Sequence, residues 1–184
     1  KLYDCSPITD GAAAAVVASE KIASKLTDTP IWVKAQGVAT GTANLTMRKN
    51  LLSLESVVEA AKQAYQKAGI EDPLKSFDLA LVHDCFTIAE IMAYEDLGFC
   101  EKGEGGKLIE EGVTEIGGEI PVNTDGGLKA KGHPVGATGV SQAVEITKQL
   151  RGEAGKRQVE GAEVGLSHNV GSSGQSVFVH IYRR

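Results

Sequence analysis

The sequence contains few cysteines and few aromatic residues. Of its 184 residues three are cysteines, and phenylalanine, tyrosine and tryptophan together make up 5%. An odd number of cysteines at irregular spacing argues against a disulfide framework and favours a reducing compartment. Because 42% of the residues are hydrophobic, we expect a sizeable core filled mainly by aliphatic side chains. These features are typical of a cytoplasmic α/β protein.

Positive charge and long hydrophobic runs are also lacking. The formal net charge is −5, and no basic face interleaved with aromatic residues stands out, so nucleic acid is not expected as a partner. No apolar run approaches the length of a transmembrane helix, and we therefore expect no membrane partner.

The glycine-rich segment 126–139 carries a single histidine, His133, directly before Pro134. Proline fits the first position of a helix, and apolar residues at helical spacing predict a helix over 134–150. The positive end of the helix dipole disfavours a charged imidazole, so His133 is predicted to be neutral and able to exchange a proton. The alternative is a glycine-rich turn in which the histidine is incidental.

A second segment combines a buried strand with ionisable groups at its end. The apolar run over 77–83 predicts a strand, which leads into His83, Asp84 and Cys85. Open α/β sheets place their sites at the carboxyl ends of such strands. We therefore predict a functional site at the end of this strand.

A third segment has the same design. The predicted strand 163–168 leads into His168, Asn169 and, two residues later, Gly171. Three of the four histidines in the chain thus lie at strand ends or helix starts, each in a different segment. This convergence favours one shared site over three scattered core histidines.

The order of the predicted elements indicates an α/β fold. Further predicted elements are a strand over 10–20, helices over 19–26, 53–68 and 87–97, and strands over 31–38 and 176–182. This order suits a mixed sheet covered by helices. The connection 100–125 is long and rich in glycine and glutamate, and two interpretations stay open: a loop that covers the substrate, or a solvated insertion, which we favour.

Four segments together resemble the C-terminal half of a thiolase, either an acetyl-CoA acetyltransferase or a 3-ketoacyl-CoA thiolase. They are the opening stretch 3–14, His-Asp-Cys-Phe at 83–86, Gly-His-Pro at 132–134 and His-Asn-Val-Gly at 168–171. Order and spacing resemble in particular the sterol-carrier-protein-2-type thiolases and their archaeal relatives. The resemblance implies a C-terminal thiolase domain over 29–184 with a mixed five-stranded sheet, preceded by a terminal piece of the N-terminal domain at 1–28.

The resemblance also implies a reaction. Thiolases catalyse Claisen condensation of acetyl-CoA or thiolytic cleavage of 3-ketoacyl-CoA. In that chemistry His133 would deprotonate a nucleophilic cysteine, and His83 would occupy the position of an oxyanion-hole asparagine. Cys85 would transfer the α-proton of the substrate, and we expect nearby donors to lower the pKa of its thiol.

Other matched positions would bind coenzyme A or shape the oxyanion pocket. The resemblance assigns His168, Asn169 and Gly171 to the oxyanion pocket, and Ser6 to the pantetheine arm of coenzyme A. The mechanism requires no metal or redox cofactor, because the coenzyme A thioester is itself the substrate. Acyl-CoA and coenzyme A are therefore the expected small-molecule partners, and a homo-oligomer is the family habit.

No residue of the chain matches the nucleophilic cysteine of the family, which lies in the N-terminal half. We therefore expect that half as a partner, in the same chain or in a separate one, and no acyl-enzyme formation by residues 1–184 alone. The start at Lys1 instead of methionine favours a partial chain. Residues 1–28 are expected to be partly disordered or to self-associate, because they would expose apolar side chains.

Two other functions stay open. A zinc site could be built from His83, Cys85, His133 and His168, although their spacing matches no structural zinc pattern. The chain could also be a non-catalytic acyl-CoA-binding or scaffold subunit of a thiolase-containing complex, since its nucleophile is missing.

Overall fold

Four strands form one mixed sheet in the computed structural model, which describes residues 1–184. Their bounds are β1 Trp32–Thr40, β2 Leu79–Leu81, β3 Val164–Gly171 and β4 Ser176–Arg183. The order across the sheet is β1-β4-β3-β2, with β4 antiparallel to both neighbours and β2 parallel to β3. The predicted α/β class with a mixed sheet is confirmed.

The predicted number of five strands is wrong, because the sheet has four. Next to β2 the chain forms only an isolated bridge between Ala80 and Val122. The predicted strand over 10–20 is also absent, and residues 6–19 between the bridge at Cys5 and the helix that begins at Glu20 form no regular structure. Val16 and Val17 are 89% and 90% exposed, so this apolar stretch has no neighbouring strand with which to pair.

Helices cover both faces of the sheet. They are α1 Glu20–Leu26, α2 Glu55–Ala68, α3 Pro73–Ser76, α4 Thr87–Asp96, α5 Gly105–Glu110, α6 Gly127–Lys131 and α7 Thr138–Arg151. The helix predicted over 134–150 starts later, at Thr138, because residues 135–137 form a turn. None of the helices combines the length and the apolar character that crossing a membrane requires.

The core consists of two apolar clusters on opposite faces of the sheet. The larger one joins α2 and α4 to the sheet, with Val57, Tyr94 and Val179 among its buried members. The smaller one packs Ile146 and Leu150 of α7 against β2 and β4. The sheet is therefore the middle of three layers, and the ends of β2 and β3 lie between the helices of the two outer layers.

One close approach fixes α2 on β1. A Cβ atom added at Gly37 would lie 1.8 Å from the backbone oxygen of Ala60. Only glycine allows the helix to lie this near the strand, and the alanines of α2 continue the same tight packing.

The long connection between α4 and α6 is partly built into the core. Ile120 is fully buried, and Val122 is also buried, while α5 occupies the middle of the connection. No residue of 100–125 lines the large apolar cavity described below. The connection therefore does not cover this cavity, and the favoured solvated insertion describes only part of it, because Ile120 and Val122 pack in the core.

Candidate active site

The ends of β2 and β3 bring His83 and His168 together. The two strands are parallel, with Leu81 opposite Ser167, so the residues that follow lie at the same edge of the sheet. The backbone N–H of His83 donates a long 3.5 Å hydrogen bond to Nδ1 of His168. β3 continues to Gly171, so His168 lies within the strand and not at its end as the predicted bounds 163–168 had it.

His133 reaches the same place from the loop between α6 and α7. Its ring lies edge-on against the ring of His83, with the centroids 4.9 Å apart. On its other side, Nδ1 of His133 is 2.7 Å from the hydroxyl of Thr138, the first residue of α7. The three histidines predicted to share a site therefore do so.

All three histidines are held neutral by their surroundings. Burial, and then repulsion from His133, lower the pKa of His83 to about 4. Burial, with a smaller contribution from His83, lowers the pKa of His168 to about 3. Burial also lowers the pKa of His133, although Asp84 acts in the opposite direction. A lowered pKa of His133 is consistent with the neutral state predicted for it, but burial is its main cause and not the helix dipole, since the helix begins five residues later.

Two nitrogen atoms of this cluster have no partner. Nδ1 of His83 and Nε2 of His168 are both buried and make no hydrogen bond. Because Nδ1 of His168 accepts from a backbone N–H, the single proton of the neutral ring belongs on Nε2. His168 therefore presents a buried, unused donor, which is costly to leave unpaired.

Asp84 positions the loop that carries His133. Its carboxylate accepts hydrogen bonds from the backbone N–H groups of Leu128 (2.8 Å) and Lys129 (3.3 Å) in the first turn of α6. Gly127 makes room for this contact, because a Cβ there would lie 2.2 Å from Asp84 and its φ is +63°. A carboxylate at the start of a helix is electrostatically favourable, so Asp84 ties the end of β2 to the histidine loop.

Cys85 lies half-buried beside this carboxylate. Burial raises the pKa of the Cys85 thiol, and the neighbouring charge of Asp84 adds to the increase. The backbone N–H groups of Phe86 and Cys85 do lower this pKa, as expected of donors, but burial and then the charge of Asp84 outweigh them, so the predicted net lowering is wrong. In this state Cys85 is a protonated thiol, which can give up a proton but is a poor base.

An apolar cavity of about 560 Å³ opens at the site. Eleven of its 17 lining residues are hydrophobic, among them Cys85, Phe86 and Met92. The polar lining consists of His83 and His168 together with Arg48, Asp96, Ser172 and Ser173. A mostly apolar pocket with a few convergent polar groups is the usual form of a small-molecule site.

Asn169 and Gly171 lie on β3 next to His168. The amide of Asn169 donates to Oε1 of Gln142 at 3.2 Å. Nε2 of Gln142 in turn donates to the backbone oxygens of His168 (3.0 Å) and Leu81 (3.4 Å). Gln142 therefore links α7 to the ends of both parallel strands. Gly171 pairs with Ser176 in the hairpin and does not contact the histidines.

The N-terminal segment lies against the site. The backbone N–H of Ser6 donates to the backbone oxygen of Cys85 at 2.9 Å, and Cys5 forms an antiparallel bridge with Phe86. Residues 9–12 line a crevice together with Gly132 and Pro134. The predicted position of Ser6 near the site is thus supported by its backbone contacts.

Sequence reasoning missed three residues that hold the site together, namely Asp84, Thr138 and Gln142. Asp84 was noted only as part of a strand end. Thr138 and Gln142 follow His133 by five and nine residues, and with Glu145 and Gln149 they form a polar stripe at helical spacing that is buried. The sequence signal that could have revealed Thr138 and Gln142 is the spacing of these polar residues, which places them on the same helix face as buried apolar residues. No three His, Cys, Asp or Glu side chains are grouped so as to hold a metal ion.

Known proteins similar to this chain point in one direction. Residues 37–184 match the family described as Thiolase C-terminal domain-like. The chain is 53% identical over its whole length to an acetyl-CoA acetyltransferase of Methanothermobacter thermautotrophicus, of which it covers 48%. It is 43% identical over 187 residues to sterol carrier protein 2 of Bos taurus, covering 99% of this chain and 34% of that protein. These matches confirm the resemblance predicted from the four motifs.

The chain spans between about a third and about half of the length of these two curated relatives. Among solved structures, the Ltp2-ChsH2(DUF35) aldolase matches 84% of this chain and 39% of its own chain with a TM-score of 0.73. At 23% identity this likeness shows a shared fold.

Proposed function

This chain belongs to the thiolase C-terminal domain family, and on that premise we propose that it supplies the acid, base and oxyanion groups of an acyl-CoA C-acyltransferase. The reaction is Claisen condensation of acetyl-CoA or thiolytic cleavage of 3-ketoacyl-CoA. The observation that carries the proposal is the cluster of three neutral histidines, in which His83 contacts both His133 and His168. A cluster of uncharged imidazoles beside a thiol and an apolar cavity suits thioester chemistry.

His133 is the general base of this proposal. It is the least buried of the three histidines. Burial lowers its pKa, and the charge of Asp84 offsets part of that decrease. A neutral imidazole can accept the proton of a nucleophilic thiol and then act as a donor to the negative charge that develops on the thioester oxygen. Both tasks use the same ring nitrogen, which first accepts the proton of the thiol and then donates it in a hydrogen bond.

His83 and His168 are proposed to stabilise the oxyanion. The Nε2–H group of His168 is buried and unpartnered, which is the state of a donor that waits for an acceptor. Its very low basicity keeps the ring neutral, so it donates without giving its proton away. Asn169 lies beside it on β3 and is held by Gln142, whereas Gly171 pairs with Ser176 away from the histidines and takes no part in this proposal. One preorganised donor of this kind is worth about 10²–10³ in rate.

Cys85 is proposed as the group that exchanges the α-proton. In cleavage, the thiolate of the nucleophilic cysteine adds to C3 of the 3-ketoacyl-CoA, and the C2–C3 bond then breaks so that the acyl group stays on that sulfur as a thioester. The electron pair of the broken bond stays on C2 of the leaving acetyl-CoA, and the thiol proton of Cys85 is transferred there. A protonated thiol with a raised pKa is the correct starting state for this direction. In condensation the thiolate formed in the reverse step removes the proton.

The nucleophilic cysteine is proposed to come from a segment outside residues 1–184, corresponding to the N-terminal half of the family. Residues 1–28 would complete that N-terminal domain, and 29–184 would form the C-terminal one. The contact of Ser6 with Cys85 supports a substrate path that passes along this segment, where the pantetheine arm would lie. No metal or redox cofactor takes part, and the assembled enzyme is proposed to be a homo-oligomer.

Complementation tests this proposal. The chain is mixed with a segment that carries the nucleophilic cysteine, and coenzyme A-dependent cleavage of acetoacetyl-CoA is followed. We expect activity in the mixture and none in either part alone. The same segment with its cysteine changed to alanine is the matched control, and activity that survives this change would overturn the assignment of the nucleophile.

The second candidate is an acyl-CoA-binding or scaffold subunit without catalysis, which the apolar cavity favours. The two functions differ in one outcome. A stable complex that binds acetoacetyl-CoA but does not cleave it would support the binding function and overturn the catalytic one.

A further inference from the structure

The hydroxyl of Thr138 is fixed between two groups. It lies 2.7 Å from Nδ1 of His133 and 3.3 Å from the backbone oxygen of Pro134. Thr138 is only 2% exposed, so water does not compete for these contacts. The hydroxyl is therefore a permanent neighbour of one specific nitrogen of His133.

The donor inventory limits the arrangement of protons. A hydroxyl has one proton to give, a carbonyl oxygen only accepts, and a neutral imidazole carries one N–H. If the hydroxyl donates to Pro134, its oxygen must accept from Nδ1–H of His133, and Nε2 then bears the lone pair. If the hydroxyl donates to Nδ1 instead, it has no proton left for Pro134, and the proton of the ring lies on Nε2, which can then accept nothing. Only the first arrangement makes hydrogen bonds of both observed contacts.

We propose that Thr138 is a positioning residue that keeps His133 in the Nδ1–H tautomer and so leaves Nε2 free to act as the base. The catalytic meaning of this inference rests on the proposed function, whereas the tautomer does not. When a thiol gives its proton to Nε2, the S–H bond breaks and an N–H bond forms. The ring becomes an imidazolium whose Nδ1–H still donates to Thr138, so the ring need not turn during the reaction.

The other groups that face His133 do not set this tautomer. The ring of His83 meets it edge-on, and Asp84 acts on its pKa through charge. The carboxylate of Asp84 is engaged by the backbone of α6. Within hydrogen-bond distance of a ring nitrogen of His133, only the Thr138 hydroxyl is found.

The same helix offers a matched control. Thr147 donates its hydroxyl to the backbone oxygen of Ala143 at 2.8 Å, which repeats the bond of Thr138 to Pro134 but has no histidine beside it. Thr138→Val removes the hydroxyl and keeps the shape, Thr138→Ser keeps the hydroxyl, and Thr147→Val removes an equivalent hydroxyl elsewhere. A comparison of the three separates an effect on His133 from an effect on helix stability.

The first test is nitrogen NMR of the histidine rings in the chain itself at neutral pH. We expect the Nδ1–H tautomer of His133 in the parent protein, in Thr138→Ser and in Thr147→Val, and loss of that preference in Thr138→Val. An Nε2–H tautomer in the parent protein would overturn the inference, as would an unchanged tautomer in Thr138→Val.

The second test uses the complete enzyme, including the nucleophile-bearing segment. Thr138→Val is expected to lower kcat of acetoacetyl-CoA cleavage by about 10- to 100-fold with little change in KM, and Thr138→Ser to restore most of it. Thr147→Val should leave kcat unchanged. If the parent enzyme has no thiolase activity, the proposed function fails, and the NMR result still decides the role of Thr138.

Discussion

At the scale of single residues, His83 and His168 are bases that folding prevents from binding protons. Their pKa values are lowered to about 4 and about 3 from the ordinary value of 6.5. In the unfolded chain both would titrate near 6.5, so between these limits the unfolded state binds more protons than the folded one. The free energy of unfolding attributable to these residues is therefore fully present above pH 6.5 and declines as the pH falls.

This decline is a testable prediction. Each of the two histidines should contribute a loss of about 1.4 kcal/mol per pH unit below pH 6.5, until the pH reaches its folded pKa. Burial raises the pKa of Asp84 and of Glu90, and these carboxyls contribute stability of the opposite sign as the pH falls. The total slope alone therefore does not isolate the histidines.

Replacing one histidine isolates its share. In His168→Gln, the slope of unfolding free energy between pH 6 and pH 4 should be smaller than in the parent protein by about 1.4 kcal/mol per unit. Denaturant unfolding at several pH values measures it, and the difference at pH 8 gives the cost of the substitution without titration. Equal slopes in both proteins would show that His168 is protonated in the folded state.

The site residues differ in how far the sequence predicted them. His83, His133 and His168 could be grouped because each was predicted at the end of a strand or before a helix, and such positions meet at one sheet edge. His168 lies within β3 instead, but near enough to its end to join the other two. The protonated state of Cys85 could not be predicted, because it depends on burial and on the carboxylate of Asp84. Thr138 was not predicted as a partner of His133 because its contact arises from a turn at residues 135–137.

At the scale of elements, α7 shows where pattern reasoning fails. The apolar residues whose helical spacing predicts this helix include Val140 and Val144. In the structure Val140 is 37% exposed, and the buried face is largely polar, with Thr138, Gln142 and Gln149 on it. A helix that serves a site can bury polar residues when every one of them has a hydrogen-bond partner, and hydrophobic periodicity does not detect such a face.

Gln142 should therefore be important for stability. Gln142→Leu removes hydrogen bonds to Asn169, His168 and Leu81 and leaves those groups unpaired inside the protein. We expect a loss of about 1–3 kcal/mol in unfolding free energy. The control is Gln66→Leu on α2, an exposed position, which should change stability by less than about 0.5 kcal/mol. Similar losses in both variants would contradict the role of Gln142.

The packing of α2 on β1 gives a second prediction at this scale. Gly37→Ala puts a methyl group where the backbone oxygen of Ala60 lies, and we expect a loss of about 3 kcal/mol or more. Gly106→Ala, in α5, adds the same methyl group where nothing lies within 4 Å, and should be neutral or slightly stabilising. Thermal unfolding of the two variants checks this, and a Gly37→Ala protein as stable as the parent would refute the close approach.

At the scale of the whole molecule, the class of the fold could be predicted from the sequence, but the number of strands that join the sheet could not. All four strands of the sheet lie in segments that the sequence predicts as strands, and they pair with one another within the chain. The stretch 10–20 has the composition of a strand, but no partner strand in residues 1–184 satisfies it, and Val16 and Val17 remain exposed. A pattern along the chain indicates what a segment can form, whereas pairing requires a neighbour.

The same exposure has a consequence for solution behaviour. Leu2, Tyr3 and Ile8 are more than 80% exposed in the N-terminal segment, and Leu52 and Val135 are about as exposed near the site. An apolar surface of this kind favours association. We expect concentration-dependent self-association of the chain in analytical ultracentrifugation, reduced when the nucleophile-bearing segment is added. A chain that stays monomeric at all concentrations and does not bind that segment would contradict this expectation.

The central claim is that His133 is the base of a thiolase site completed by a segment outside residues 1–184. Its most direct test is the rate of acetoacetyl-CoA thiolysis by the complete enzyme with His133→Ala, measured beside its melting temperature. The account predicts a fall of at least about 10²-fold in kcat with the melting temperature nearly unchanged. Turnover close to that of the parent enzyme would contradict it.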